Sequence, residues 1–419
     1  MTARYSIFSL ARHALGGHRG WPAAWRSPEP QPAYDVVVIG GGGHGLATAY
    51  YLARNHGRRR IAVLEKGWLG GGNTGRNTTI VRSDYRLAEN ADFMEFSLKL
   101  WEGLSQALNF NVMLSQRSYI DLAHSDGQLE DFMRRGNAMR LRGIDARLLD
   151  RGELRRLVAP LDLSPEARFP VVGGLMQPRG GTARHDAVAW GYARAADGLG
   201  IDIIQDCELT GIEVTDGRVA GVETSRGPIR AEQVAISVAG HSSHVAAMAG
   251  LRLPIETASV QAFVSEPVKP VLHRVVCFNA GLSYVSQTDK GEILLGGESD
   301  PYNSYAQRGS ITAIEETLAR AVAMFPFLSR LRLMRSWGGI GDISMDGLGI
   351  VGKTPVSGLY LNGGWGYSGF KATPAVGWTL AHTIAHDAPH ALNAPFALER
   401  FSSGALLDEA GIGPAPSLH

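Results

Sequence analysis

Apolar and polar positions follow several different rhythms along the chain. From Tyr34 the β-branched run DVVVI leads into glycines and then into LATAYYLARNH, where Leu46, Ala49, Tyr50 and Ala53 recur at helical spacing, and RRRIAVLEKG follows. An uninterrupted apolar run, a glycine turn and a helix-period segment predict strand, turn, helix and strand, a βαβ unit. Residues 90–170 are more charged, with helix-period FMEFSLKLWEGLSQAL and strand-like RSYIDLAH. HDAVAWGYARAADGL predicts a helix over 185–199, and the stretch from Glu208 to Gly240 reads as short strands with a DG turn and a buried last strand. The alternation in VQAFVSE, SYVSQ and EILLGGE predicts antiparallel strands between 255 and 300, and SITAIEETLARAVAMFPFL an amphipathic helix. GLYLNGGWGYSGFKATPAVGWTLAHTIA closes as strand, glycine-rich loop and helix.

The first and last parts share one alternating α/β character that two inner stretches lack. The expected fold is therefore α/β: a Rossmann-like dinucleotide-binding domain, discontinuous over 34–94, 171–254 and 335–400. An α+β substrate domain built on an antiparallel sheet, 95–170 and 255–334, is threaded through it. Residues 1–33 carry Arg4, Arg12, Arg19 and Arg26 against one acid, Glu29, and end in SPEPQPAYD. They read as an arm, ordered or in contact with a partner; a targeting segment and plain disorder are the alternatives. Residues 401–419 form a C-terminal tail.

Composition narrows the function. With 41 Lys+Arg against 40 Asp+Glu and no long basic run, the clustered charge that nucleic-acid binding requires is missing. Cys207 and Cys277 are the two cysteines, with no CxxC and no Cys/His zinc spacing, so no disulfide framework and no metal are expected. No apolar run reaches the ~18–20 residues of a membrane span, and a reduced, cytoplasmic protein with neither nucleic-acid nor membrane partners is the expectation. Glycine, 52 of 419 residues, clusters at 40–45, 69–75, 338–341 and 363–369, which suggests backbone held close to a ligand.

Gly40, Gly42 and Gly45 form GxGxxG between strand and helix, and Glu65 ends the next strand. The glycines allow a tight turn and the approach of a pyrophosphate to the helix N-terminus, while the acid can accept from ribose hydroxyls. FAD and NAD both use this unit; the segment GWLGGGNTGRNTTIVRS after the acid favours FAD, because two-domain flavoproteins of the glutathione-reductase type need a second loop there, and the first domain is expected to be a glutathione-reductase-type, Rossmann-like FAD-binding domain. The expected FAD-binding set is Gly40, Gly42, Gly43, His44, Gly45, Glu65, Asn73, Thr78, Ile80, Leu209, Gly366, Gly369 and Lys371. His44 is expected either to touch the cofactor through its backbone or to fill the loop. His241 and His244 read as helix-start residues, and Trp337, Trp365 and Tyr367 as cavity walls or packing anchors.

The stretches GGGGHGLATAYYLARNHG, VLEKGWLGGGN, RNTTIVRS, QPRGGTARHDAVAW and GGWGYSGFKATPAVGWTLAHTIA resemble the beta-subunit family of heterotetrameric sarcosine oxidases, which are D-amino-acid-oxidase-like flavoproteins. The resemblance runs from about residue 26 to the C-terminal region. It implies a covalent FMN on His185 beside a noncovalent FAD, and a substrate-carboxylate clamp of Arg82 and Lys371. The implied activity is oxidative demethylation of sarcosine to glycine, with electrons passing from FAD to FMN and then to O2 to give hydrogen peroxide. The one-carbon unit goes to tetrahydrofolate on a partner; alpha, gamma and delta subunits supply folate, NAD and zinc sites. Monomeric relatives bind FAD through a cysteine in the segment matching WGGIGDISMDG, where this chain has Gly338 and Gly339, and carry a lysine over the flavin where it has Leu294 and Leu295. Two alternatives stay open: a stand-alone oxidase or dehydrogenase of another secondary amine, such as dimethylglycine or proline, and an electron-relay subunit without a substrate site of its own.

Overall fold

The computed structural model describes residues 6–19, 21, 23–278, 283–407 and 409. The expected 1–33 arm and 401–419 tail thus lie partly outside the described residues. The run DVVVI forms the strand Ala33–Ile39 at the centre of an eight-stranded sheet. It pairs in parallel with Ile61–Leu64 on one side and Ile229–Ile236 on the other, and Asp202–Ile204 and Leu359–Gly363 extend the parallel core. Side chains alternate across a strand, so Val36 and Val38 enter one core with the helices Gly43–His56, Ala88–Ala107, His185–Gly198 and Gly369–His386. Val37 and Ile39 enter another, formed with the antiparallel strands Leu209–Thr215 and Arg218–Thr224 and the short helix Ser242–Ala247. Burial on both faces explains why the central strand reads as a continuous apolar run.

The second sheet also has eight strands, ordered Leu333–Ser344, Ile255–Pro267, Glu292–Ser299, Ser283–Gln287, Val275–Phe278, Tyr119–Ala123, Gly173–Gln177 and Arg147–Leu149. It is antiparallel apart from the pair Val275–Phe278 with Tyr119–Ala123. Ile120, Leu122, Val276, Phe278 and Val285 pack beneath the helix Ile311–Met324. Their alternate neighbours Tyr119, Cys277 and Tyr284 face the first domain instead.

Three placements differ from the sequence expectation. Gly173–Gln177 and all of Leu333–Ser344 pair within the second sheet, and the helix Ala88–Ala107 packs against Gly369–His386 in the first domain's core. A short apolar run shows that a strand exists but not which sheet accepts it, and the boundary drawn at residue 94 cut a helix whose apolar face is continuous. Among the described residues no helix is long and apolar enough to cross a membrane. The C-terminal segment is tied down by the buried pair Arg400–Asp346, with Arg400 Nε 2.7 Å from Asp346 Oδ2.

Candidate active site

A cavity of about 490 Å³ runs between the two domains, from the Gly40 loop to the face of the second sheet. At its first end Gly40 takes φ +109°, and a Cβ there would stand 2.2 Å from the Ser237 carbonyl oxygen. A Cβ on Gly45 would stand 2.0 Å from the carbonyl oxygen of Gly40, so only glycine lets the helix start pack on the strand end. Gly45→Ala is expected to cost about 1–3 kcal/mol through that overlap and to lower bound flavin, read by thermal unfolding and the flavin-to-protein absorbance ratio. The N-cap Gly42 supplies no side-chain cap, the Gly43 N–H donates to Thr74 Oγ1 at 3.0 Å, and the helix dipole is directed at the loop. Glu65 is fixed by the Gly41 and Gly67 N–H groups, at 2.8 and 3.0 Å, with its carboxylate on the cavity wall. Leu209, His241 and His244 line the same end.

The second glycine loop forms the short helix Asn73–Arg76. The Asn73 amide brackets Ile340, donating to its carbonyl at 2.6 Å and accepting from its N–H at 3.1 Å, so the loop is locked to the second sheet. Thr78 and Ile80 continue along the cavity. His44 is half-buried, and that burial lowers its pKa. Its Nε2 donates to the Gly369 carbonyl at 2.7 Å and its Nδ1 accepts from Asn362 Nδ2 at 2.9 Å. Both ring nitrogens are thereby engaged within the chain, pinning the first glycine loop to the C-terminal one; a cofactor contact is left to the backbone. Gly366 (φ +50°) donates its N–H to the Asp342 carbonyl at 2.7 Å. Trp365 is a buried packing anchor whose indole donates to Asn362 Oδ1 at 2.6 Å, Trp337 donates to the Arg76 carbonyl, and Tyr367 stands partly exposed on the cavity wall.

Arg82 and Lys371, far apart in sequence, line the same end of this cavity. The Arg82 guanidinium lies between the rings of Tyr85 and Tyr119, 4.7 Å from each centroid, and pairs with Asp84. Burial opposes its charge, but the carboxylates of Asp84 and Asp121 hold its pKa well above the ordinary value. Its other nitrogens have no hydrogen-bond partner among the described residues. Behind it Arg135 contacts Asp121 and lies 3.7 Å from Asp84, and the Tyr119 hydroxyl donates to Asp121 at 2.8 Å. Lys371, 6% exposed, donates from Nζ to the Tyr367 carbonyl at 2.8 Å and has no carboxylate partner. Burial first, then the charge of Arg82, pushes its pKa down to about 7. Its own carbonyl is fixed by Ser97 Oγ and Trp101 Nε1, at 2.6 and 2.9 Å.

Sequence reasoning missed Asp84, Tyr85, Tyr119, Asp121 and Arg135, which set the charge and orientation of Arg82. It also missed Asp342, whose burial raises its pKa to about 6 and whose Oδ2 accepts from the Gly364 and Trp365 N–H groups. Asp84 sits two residues from Arg82, and Asp121 interrupts the apolar strand YIDLA; those were the available signals. Neither Leu294 nor Leu295 is on the cavity wall, and Lys66 and Lys371 are its lysines among the described residues.

His185 stands outside the cavity, at the start of the helix His185–Gly198. That helix packs on the second glycine loop: a Cβ on Gly70 would lie 3.3 Å from that of Ala189. Burial first, and then the nearby Arg184 and Arg335, lower the His185 pKa against the pull of Asp186. Its Nδ1 is buried with no hydrogen-bond partner among the described residues.

Residues 35–383 match the FAD dependent oxidoreductase family. The chain is 58% identical to the sarcosine oxidase subunit beta of Rhizobium meliloti, over 99% of this chain and 100% of that one. It is 51% identical to the sarcosine oxidase subunit beta of an Arthrobacter species, over 92% and 96% of the two chains. Among solved structures, L-proline dehydrogenase from P. horikoshii matches with a TM-score of 0.84 at 26% identity, over 90% of this chain and all of that one.

Proposed function

The chain belongs to the FAD-dependent oxidoreductase family and, within it, to the sarcosine oxidase beta subunits, and from that premise we propose that it oxidises sarcosine to glycine at the Arg82–Lys371 end of its cavity. The observation that carries this reading is the convergence of those two cations on the wall that also carries the dinucleotide loops.

The donor set fits FAD. Gly40, Gly42, Gly43 and Gly45 at the helix start would hold the pyrophosphate, and Glu65 the ribose. Asn73, Thr78, Ile80, Gly366 and Gly369 would border the ring, and Leu209 the adenosine end. His185 fits a covalently held FMN: a half-buried imidazole kept neutral, with an unpartnered nitrogen, is a nucleophile for an activated flavin methyl. When bound, FAD supplies a two-electron acceptor for the substrate's carbon–nitrogen unit, and FMN a relay to oxygen that yields hydrogen peroxide.

The residues of this chain do the rest. Arg82, rigid between two tyrosine rings, offers a planar fork to the sarcosine carboxylate, and Lys371 adds a second positive charge. Burial makes both interactions strong by excluding water. FAD would be held without a covalent bond, since the segment that carries the flavin-linking cysteine in monomeric relatives has Gly338 and Gly339 here; burial also raises the Cys277 thiol on the cavity wall to about 12, which makes it a poor nucleophile. The product imine would pass its carbon to tetrahydrofolate on a partner among the alpha, gamma and delta subunits, which also supply the NAD and zinc sites. Two free, buried cysteines accord with a cytoplasmic location.

Acid denaturation of the purified complex tests the cofactor set. FAD is expected in the supernatant and FMN on the peptide containing His185; FAD alone, with that peptide unmodified, contradicts the relay. His185→Ala should abolish the covalently bound flavin and leave FAD content unchanged.

A further inference from the structure

The charges around Lys371 balance without it. Arg82 and Arg135 are matched by Asp84 and Asp121, all four buried or nearly so. Lys371 has no acid of its own; its Nζ is bound only to a backbone carbonyl and faces the cavity. The charged and titratable groups around it are Arg82, Asp84 and Cys277, of which Arg82 and the Asp84 carboxylate already serve each other.

A small amino acid arrives as a zwitterion, ammonium and carboxylate on neighbouring carbons. Its oxidation needs the free nitrogen lone pair. Entering a site with a charged Lys371, the zwitterion would leave one buried cation unmatched; entering one with a neutral Lys371, it can settle with every charge paired. Resting on the carboxylate-clamp reading, we propose that Lys371 binds substrate as a neutral amine and takes the substrate's ammonium proton, acting as general base and carboxylate partner in one step. One N–H bond of the substrate breaks and one Nζ–H bond forms; the substrate is left as an anion with a neutral amine, paired to Arg82 and to the new lysine ammonium. No proton leaves for solvent. The depressed basicity of Lys371 noted above supplies the neutral form near neutral pH.

Other cavity groups serve poorly as this base. His44 has both nitrogens engaged, Asp342 is turned onto the Gly364 and Trp365 amides, and burial pushes Tyr119 and Tyr284 above their ordinary range.

The test uses the oxidised holo-complex and acetate, a carboxylate with no amine to give up a proton. Calorimetric titration at about pH 8, in buffers of different ionisation enthalpy, should show ~1 proton taken up per acetate bound. Acetate bound without proton uptake overturns the proposal and leaves the clamp standing; no binding of acetate overturns both. Lys371→Arg supplies a permanently charged group. It should bind acetate without proton uptake, and its kcat/KM for sarcosine should fall about tenfold for each pH unit below the free amine's own pKa. A Lys371→Arg profile that coincides with the wild-type profile overturns the proposal.

Discussion

Lys371→Ala is expected to weaken binding of the substrate carboxylate by about 2–5 kcal/mol, a loss of roughly 30-fold to several thousand-fold in affinity. The cause is desolvation. Arg82 already gives one edge of its fork to Asp84, so without Lys371 the incoming carboxylate meets a cation that is partly neutralised, in a site where water does not replace the missing partner. Titration of the oxidised flavin with an inert carboxylate measures the loss, and a change under tenfold counts against the clamp. The interior around residue 371 should tolerate the truncation, since the helix Gly369–His386 is anchored through the residue's backbone carbonyl rather than its side chain.

Arg400→Leu is expected to destabilise the chain by about 3–5 kcal/mol. Arg400 and Asp346 have side-chain exposures of 3% and 1%, and the guanidinium also donates to the carbonyls of Leu348 and Phe396. Removing the arginine leaves a buried carboxylate whose charge nothing offsets. The double substitution Arg400→Leu with Asp346→Leu should recover much of the loss, because it removes both charges; denaturant midpoints of the two variants decide this. Burial would raise the Asp346 carboxyl, but the hydrogen bonds and charge of Arg400 hold it below the ordinary value. The pair's contribution is therefore complete at neutral pH and is lost as pH falls below the usual carboxylate range through the folded-state value.

Much of this was legible in the chain. The βαβ unit, the glycine loop and the acid at its end are local, and local period and spacing specify them. The meeting of Arg82 with Lys371 was implied by resemblance alone, because 289 positions separate them and long-range packing of Gly369–His386 on the strand Ile80–Val81 and the helix Ala88–Ala107 brings them to one wall. The bed beneath Arg82 stayed hidden for the same reason: Asp84, Asp121 and Arg135 come from a loop, a strand and a helix, and only the acid inside the apolar strand YIDLA stands out before the strands are paired. Gly173–Gln177 shows the limit from the other side. The sequence reading named no strand there and placed the segment in the first domain, because its partners, Tyr119–Ala123 and Arg147–Leu149, are set by long-range pairing that no local pattern encodes.

The most direct single measurement is anaerobic: add sarcosine to the purified oxidised complex and follow flavin absorbance, with dimethylglycine and proline in parallel. Bleaching by sarcosine at the lowest concentration of the three, lost in Lys371→Ala, is the expected result. Reduction by proline or dimethylglycine in preference to sarcosine, or flavin that sarcosine reduces equally well in Lys371→Ala, would contradict it.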